Sequence, residues 1–176
     1  MIWYTVIVDT ESVIEEFQNA KKNDDPYKIF RSVFNISQDL DYILNFVKNT
    51  PDGEYRHQAE YLHILQGIQK DTMPIDNIYS FFNLIKDSYS ENYNPDNALA
   101  IIVCEKGILE YDGITGVNEH FDPQDNIHWN CIGKSSWIIN KKDEIILNPG
   151  DIIFIKAGTY HSVKTLEPRV GIIFTA

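Results

Sequence analysis

The second half of the chain alternates apolar and polar residues with a period of two, which is the side-chain periodicity of a β-strand. From position 98 onward the alternating stretches are short, and turn residues such as Asp112-Gly113 and Pro149-Gly150 separate them. The pattern predicts strands over 98–104, 107–112, 119–122, 126–132, 135–140, 143–147, 151–155 and 160–175, the last interrupted near Pro168. Short strands at regular spacing are typical of a compact sandwich or barrel.

The first 90 residues follow a mostly helical pattern instead. In three stretches, apolar residues recur three and four positions apart behind a residue that can begin a helix. We predict helices after Asp9-Thr10 with Val13, Ile14 and Phe17 inside, after Ser37 with Leu40, Ile43, Leu44 and Val47 inside, and after Pro74 with Ile75, Ile78, Phe82 and Ile85 inside. Residues 55–69 fit a helix or a strand equally well, and IWYTVIV predicts a short strand.

Length, charge and cysteine content narrow the class of protein. A chain of 176 residues suits one domain with its own core, and a net charge of −11 disfavours a nucleic-acid partner because phosphates would be repelled. No apolar run approaches the roughly 20 residues that cross a bilayer, and the start MIWYTVIVDTESV lacks the basic region of a secretory signal. Cys104 and Cys131 lie in apolar runs, so we expect two buried thiols rather than a disulfide, and a cytoplasmic protein.

A His-x-Asp pattern and one distant histidine are the candidate metal ligands. Residues two apart in a strand point to the same face, so His120 and Asp122 can direct an imidazole nitrogen and a carboxylate oxygen at one point. His161 from a facing strand would complete three ligands on one face of an octahedral ion, the arrangement that suits non-haem Fe(II). The simpler interpretation is three unrelated polar residues near turns.

The segment around His161 resembles the second sequence motif of the cupin superfamily. Gly150, Gly158 and His161 match its two glycines and its ligand histidine, and Lys156 stands in place of its proline. The resemblance covers about residues 98–176 and implies a mainly β (α+β) fold, a double-stranded β-helix of the cupin or jelly-roll type. We expect residues 98–176 to form this core and residues 1–97 to be an α-rich segment packed on it, within a single structural domain.

The stretch HFDPQDNIHWNCIGKSSWII resembles, within the cupins, the JmjC-type hydroxylases and the ribosomal-protein oxygenases. Asp122 replaces the second histidine of the first cupin motif, Asn126 stands where its glutamate would be, and Gly133 and Trp137 match positions of these oxygenases. The resemblance implies an Fe(II)- and 2-oxoglutarate-dependent oxygenase that uses O₂ to hydroxylate a protein side chain or a small molecule. It implies iron on His120, Asp122 and His161, and 2-oxoglutarate beside Asn126.

The residue that binds the distal carboxylate of 2-oxoglutarate departs from the pattern of these hydroxylases. Where they have a Lys or Arg, this chain has Ser135, with Lys134 beside it. Other branches use an Arg on the last strand, where this chain has Arg169. We expect Arg169 to bind the carboxylate because a guanidinium forms paired hydrogen bonds with one, with Thr165 or Ser135 assisting. Lys134 is either a co-substrate contact or a solvent-facing turn residue.

Other functions and roles stay open at this point. The chain can be a metal cupin of another reaction class, such as an isomerase or a dioxygenase without 2-oxoglutarate, or a binding module without catalysis. His128 shares the strand parity of His120 and either reaches the cavity or hydrogen-bonds to a neighbouring strand, and Trp137 is a candidate core residue. The N-terminal half is a candidate cover for the barrel mouth or a homodimer interface.

Overall fold

The computed structural model describes residues 5–6, 10–51, 53–59, 61–68, 70–89, 99–107 and 116–175. Its helices are α1 (Thr10–Lys22), α2 (Leu40–Asn49) and α3 (Ile78–Ser88), with a short 3₁₀ turn at Lys70–Thr72. Its strands are β1 (Thr5–Val6), β2 (Tyr27–Arg31), β3 (Glu54–Ala59), β4 (Leu62–Gln66), β5 (Leu99–Cys104), β6 (Gly116–His120), β7 (Asn126–Ile132), β8 (Ser135–Ile139), β9 (Asp143–Leu147), β10 (Ile152–Ile155), β11 (His161–Thr165) and β12 (Arg169–Thr175).

The strands form two sheets. The large sheet has eight strands in the order β1-β2-β10-β7-β12-β5-β4-β3, and the small sheet has four in the order β6-β11-β8-β9. All pairs are antiparallel except β1 with β2. From β5 onward, strands that follow one another in sequence mostly alternate between the two sheets, so that strands distant in sequence become neighbours. This connectivity confirms the expected double-stranded β-helix with a cupin-like β fold.

An apolar cluster fills part of the space between the two sheets. Ile29 and Ile153 reach it from the large sheet, and Trp137, Leu147 and Val163 reach it from the small sheet. On its other face the large sheet packs against the helices, where buried residues of α1, α2 and α3 share one core with Trp129 and other strand residues. The molecule is therefore layered as helices, large sheet and small sheet, because the large sheet is apolar on both faces.

Most predicted strands in the second half are confirmed to within one or two residues. The predicted strand 107–112 falls almost entirely on residues 108–115, which lie outside the described residues. The predicted strand 119–122 begins earlier and ends at His120, so Asp122 lies just beyond β6. The ambiguous stretch 55–69 forms the β3–β4 hairpin because β4 pairs with β5, which supplies the hydrogen-bond partners that a lone strand lacks.

The N-terminal segment holds the three predicted helices but also contributes strands to the large sheet. Strand β2, which the sequence pattern did not indicate, pairs with β10, and β4 pairs with β5. Strand pairing thus crosses the expected boundary between positions 97 and 98, and that division stays a prediction. At the start of α2 the capping residue is Asp39, whose Oδ1 accepts from the Tyr42 amide at 2.8 Å, because Ser37 is bonded to Asp76 instead.

Cys104 and Cys131 are buried and free, as expected for two thiols inside the sheet. Burial raises the pKa of the Cys131 thiol well above its usual range. Within the described part of the chain, no helix has the length and apolar character that crossing a membrane requires.

Candidate metal centre

Backbone hydrogen bonds bring the two ligand-bearing segments together. Strands β6 and β11 are neighbours, and their register places His120 opposite His161. The Gly158 amide donates to the Asp122 carbonyl at 2.8 Å, and the Ala157 amide donates to Asp125 Oδ1 at 2.9 Å. Gly158 makes this turn with a φ of 79°, a conformation that favours glycine. The loop before His161 is therefore fixed to the loop that carries Asp122.

The three candidate ligands converge as the sequence predicts. One ligand atom from each of His120, Asp122 and His161 lies within 4.8 Å of the others. Asp122 Oδ2 is 3.5 Å from His161 Nε2 and 3.8 Å from His120 Nε2. Donors at these separations fit around one divalent ion at usual ligand distances of about 2.0–2.2 Å. Two imidazoles and one carboxylate on one side of such an ion leave its other positions open for substrate.

Hydrogen bonds orient all three side chains for this purpose. His120 Nδ1 donates to the Asn118 carbonyl at 2.8 Å, and His161 Nδ1 donates to the Thr159 carbonyl at 3.0 Å. Each Nε2 therefore keeps its lone pair, which is the form that binds a metal. Burial lowers the pKa of His161, which also favours the neutral ring.

The carboxylate has its own hydrogen-bond partner. Asn126 Nδ2 donates to Asp122 Oδ2 at 2.5 Å and restrains the carboxylate from turning away from the histidines. Asn126 also lines the cavity described next, and no described residue bonds its Oδ1. Its expected contact with 2-oxoglutarate stays a prediction.

A cavity of about 970 Å³ lies between the sheets and contains the candidate ligands. Its polar lining comprises Glu54, Gln66, His120, Asp122, Gln124, Asn126, His128, His161, Arg169 and Thr175. Its remaining lining comprises Gly53, Ile64, Gly67, Leu99, Ala100, Ile102, Trp137, Val163 and Ile173. Trp137 is stacked beside His161, with ring centroids 5.9 Å apart and planes 23° from parallel. Trp137 is thus both a core residue, as its strand position predicts, and a wall of the metal centre.

Arg169 is a charged residue buried inside this cavity. It begins β12, is 2% exposed, and neither its Nε nor its Nη1 has a hydrogen-bond partner among the described residues. Burial lowers the pKa of Arg169 to about 10, so the guanidinium stays protonated at neutral pH. Thr165 Oγ1 is also buried without a partner in the described part of the chain. Burying a cation whose donors lack partners raises the free energy of the folded state unless an anion binds to it.

Ser135 and Lys134, two candidate co-substrate contacts, are bonded to other residues in the structure. Ser135 Oγ donates to Asn130 Oδ1 at 3.2 Å and accepts from Trp137 Nε1 at 3.0 Å. Lys134 lies at the surface, where its Nζ is 2.8 Å from Glu167 Oε1. Neither residue lines the cavity. Their expected part in binding a co-substrate therefore stays a prediction.

His128 is the cavity residue whose role the sequence left most open. It is 2% exposed and lines the cavity, and neither ring nitrogen has a hydrogen-bond partner among the described residues. Among the described residues, His128 therefore does not make the hydrogen bond to a neighbouring strand that the sequence allowed. Strand parity with Asn126 was the signal that could have placed His128 in the cavity.

Comparisons with known proteins support the fold at low sequence identity. No protein-family model and no curated protein matches the chain. The ribosomal oxygenase YcfD from Escherichia coli, solved with cobalt and 2-oxoglutarate, is 15% identical with a TM-score of 0.62, covering 98% of this chain and 52% of that one. A Burkholderia pseudomallei oxidoreductase of the 2OG-Fe(II) oxygenase family is 9% identical with a TM-score of 0.52, covering 98% of this chain and 94% of that one.

The likeness at these identities concerns the fold alone, and it confirms the JmjC-like cupin fold that the motifs predicted. Fold and site together define a cupin barrel whose cavity holds a His-Asp-His cluster and a buried arginine whose Nε and Nη1 are unpaired within the described part of the chain. The chain spans about half the length of the E. coli oxygenase, 52%, but nearly the full length of the Burkholderia protein.

Proposed function

We propose that this protein is an Fe(II)- and 2-oxoglutarate-dependent oxygenase that hydroxylates a protein side chain or a small molecule. One observation carries the proposal: the cluster of His120, Asp122 and His161 shares its cavity with the buried guanidinium of Arg169, whose Nε and Nη1 no described residue bonds. A metal ligand set alone fits many cupins, whereas a metal site combined with a buried cation fits a chelating ligand that carries a second negative group.

The ligand residues suit Fe(II) by donor type and number. His120 and His161 would bind through Nε2 and Asp122 through a carboxylate oxygen, with Asn126 holding that carboxylate in place. When bound together with 2-oxoglutarate, Fe(II) would supply the redox chemistry that couples oxidative decarboxylation by O₂ to hydroxylation of a C–H bond. Trp137 and the apolar wall of the cavity would limit the access of water to this centre.

Arg169 would hold the distal carboxylate of 2-oxoglutarate. Arg169 Nε and Nη1 have no hydrogen-bond partner among the described residues, so the guanidinium keeps N–H donors that a carboxylate oxygen could accept from. Such a charge-assisted contact contributes about 1.5–3 kcal/mol. Thr165 Oγ1 is also buried without a partner among the described residues, but Thr165 does not line the cavity, so its assisting role stays a prediction. The neutral amide of Asn126 would face the metal-chelating end.

An anaerobic titration tests the proposal. Protein reconstituted with Fe(II) should bind one equivalent of metal and, on addition of 2-oxoglutarate, should develop a visible charge-transfer band, which Asp122→Ala should abolish. Admission of O₂ should then yield succinate. Stoichiometric metal binding without affinity for 2-oxoglutarate would indicate a metal cupin of another reaction class, and absence of metal binding would indicate a non-catalytic module.

A further inference from the structure

His128 is a buried residue of the cavity that has no role in the proposed co-substrate contacts. His128 lies on the inner face of β7, two residues from Asn126 and on the opposite side of the strand from Trp129, which packs in the helix-side core. Both its ring nitrogens are buried and, among the described residues, without a partner. Leaving a buried polar group unpaired costs about 1–3 kcal/mol. A ligand that accepts a hydrogen bond from this ring would remove that cost.

The fold leaves space for this imidazole at one particular position. On the neighbouring strand β12, a Cβ built on Gly171 would lie 2.5 Å from His128 Nε2 and 2.6 Å from Cε1. On another side Trp137 contacts the ring edge-on, with centroids 4.8 Å apart. The ring is therefore seated against the bare backbone of Gly171 and against an aromatic wall, rather than free to turn away from the cavity.

The charges around His128 define what can bind there. Burial, then the charge of Arg169, holds the pKa of His128 well below its usual value, so the ring is neutral and carries one N–H donor. Arg169, which lines the same cavity, has N–H groups at Nε and Nη1 without a partner among the residues that the structure describes. A cation would be repelled by Arg169, and a neutral ligand would leave its charge uncompensated. A carboxylate accepts several hydrogen bonds and suits both groups.

We propose that His128 is a second binding residue for the distal carboxylate of 2-oxoglutarate, donating a neutral N–H beside Arg169 and thereby selecting dicarboxylic over monocarboxylic 2-oxo acids. This inference rests on the proposed function, since it assumes a 2-oxo acid on the metal. It adds a second determinant of specificity to that function. The charge of Arg169 would set the affinity for an anion, and the directional N–H of His128 would set the position of that anion.

Two 2-oxo acids separate this role from a structural one. 2-Oxopentanoate has the chain length of 2-oxoglutarate but a methyl group in place of the distal carboxylate. We would measure both dissociation constants by calorimetry on cobalt-loaded protein for the wild type, His128→Phe and His128→Gln. His128→Phe should weaken 2-oxoglutarate about tenfold or more and leave 2-oxopentanoate within about twofold, whereas Gln, which keeps a donor, should lose less.

Gly171→Ala provides an independent variant should His128→Phe fail to fold. Its methyl group displaces the imidazole without removing it, so the same selective loss of 2-oxoglutarate affinity is expected. The inference is overturned if 2-oxoglutarate binds these variants as tightly as the wild type, or if both acids weaken equally. A wild type that binds cobalt but neither acid would refute the proposed function itself, and this inference with it.

Discussion

Replacing Arg169 by methionine should stabilise the protein while it destroys co-substrate binding. The guanidinium is 2% exposed, and its Nε and Nη1 lack partners among the described residues, so the ligand-free protein carries a nearly isolated buried charge. Methionine is unbranched and adaptable enough to follow the path of the arginine stem. A buried residue that lowers the stability of the folded protein is typical of a binding site, where function opposes stability.

The size of the effect follows from the perturbation of the arginine. Its pKa falls from 12.5 to about 10, which corresponds to roughly 3 kcal/mol of unfavourable interaction with the charged form. Imperfect packing of the methionine offsets part of the gain. We expect the free energy of unfolding of ligand-free Arg169→Met to exceed that of the wild type by about 1–3 kcal/mol. Affinity for 2-oxoglutarate should fall about 10- to 100-fold.

Urea denaturation with and without co-substrate measures both quantities. At a 2-oxoglutarate concentration of about 100 times the wild-type Kd, the wild type should gain roughly 2.7 kcal/mol and the variant far less. Arg31→Met is the matched control, because Arg31 Nη1 lies 2.5 Å from Asp151 Oδ2, which is buried. Removing that partner should cost about 3 kcal/mol. If Arg169→Met is destabilised as much as Arg31→Met, the guanidinium has partners in the free protein and the reasoning is wrong.

Three further predictions concern the carboxylate ligand, acid stability and the thiols. Asn126→Leu removes the donor to Asp122, and we expect cobalt affinity to fall about 10- to 100-fold; an unchanged calorimetric Kd would contradict that role. Because burial lowers the pKa of His128, the unfolded state binds more protons below about pH 6.5, and stability is lost as the pH falls through that value. Wild type should lose about 1.4 kcal/mol more per pH unit there than His128→Phe, and parallel pH profiles would exclude it. Cys104 and Cys131 should not react with a thiol reagent until the protein unfolds, whereas rapid labelling of native protein would show that they are accessible.

Strong local periodicity allowed the second half of the fold to be predicted. The alternation in 126–132 and 143–147 gives β7 and β9 with their observed bounds. Strand β2 was missed because YKIFR is short and its register depends on β10, more than a hundred residues later in the chain. The sequence of a strand and its immediate neighbours does not indicate which distant strand it will pair with. Tertiary pairing likewise decided the β3–β4 hairpin, where the sequence favoured neither helix nor strand.

The candidate ligands were predictable because spacing encodes them, whereas their surroundings were not. Two motifs identified His120, Asp122 and His161, and the structure brings these together. Whether a polar residue is already satisfied depends on distant neighbours, so Lys134 was considered for the site although it pairs with Glu167. The burial of Arg169, with Nε and Nη1 unbonded by any described residue, could not be predicted from the sequence either, because it depends on how several strands are arranged.

The pairing of β2 with β10 also constrains how the chain reaches its native state. Arg31 and Asp151, which join these strands, are separated by 120 positions. The edge of β2 that pairs with β10 therefore has no partner while the intervening residues are being synthesised. Contacts of this range slow folding, because a large loop must close before they form. We therefore expect the nascent chain to expose the apolar face of β2 for an extended period, which makes chaperone dependence during overexpression a foreseeable property of this protein.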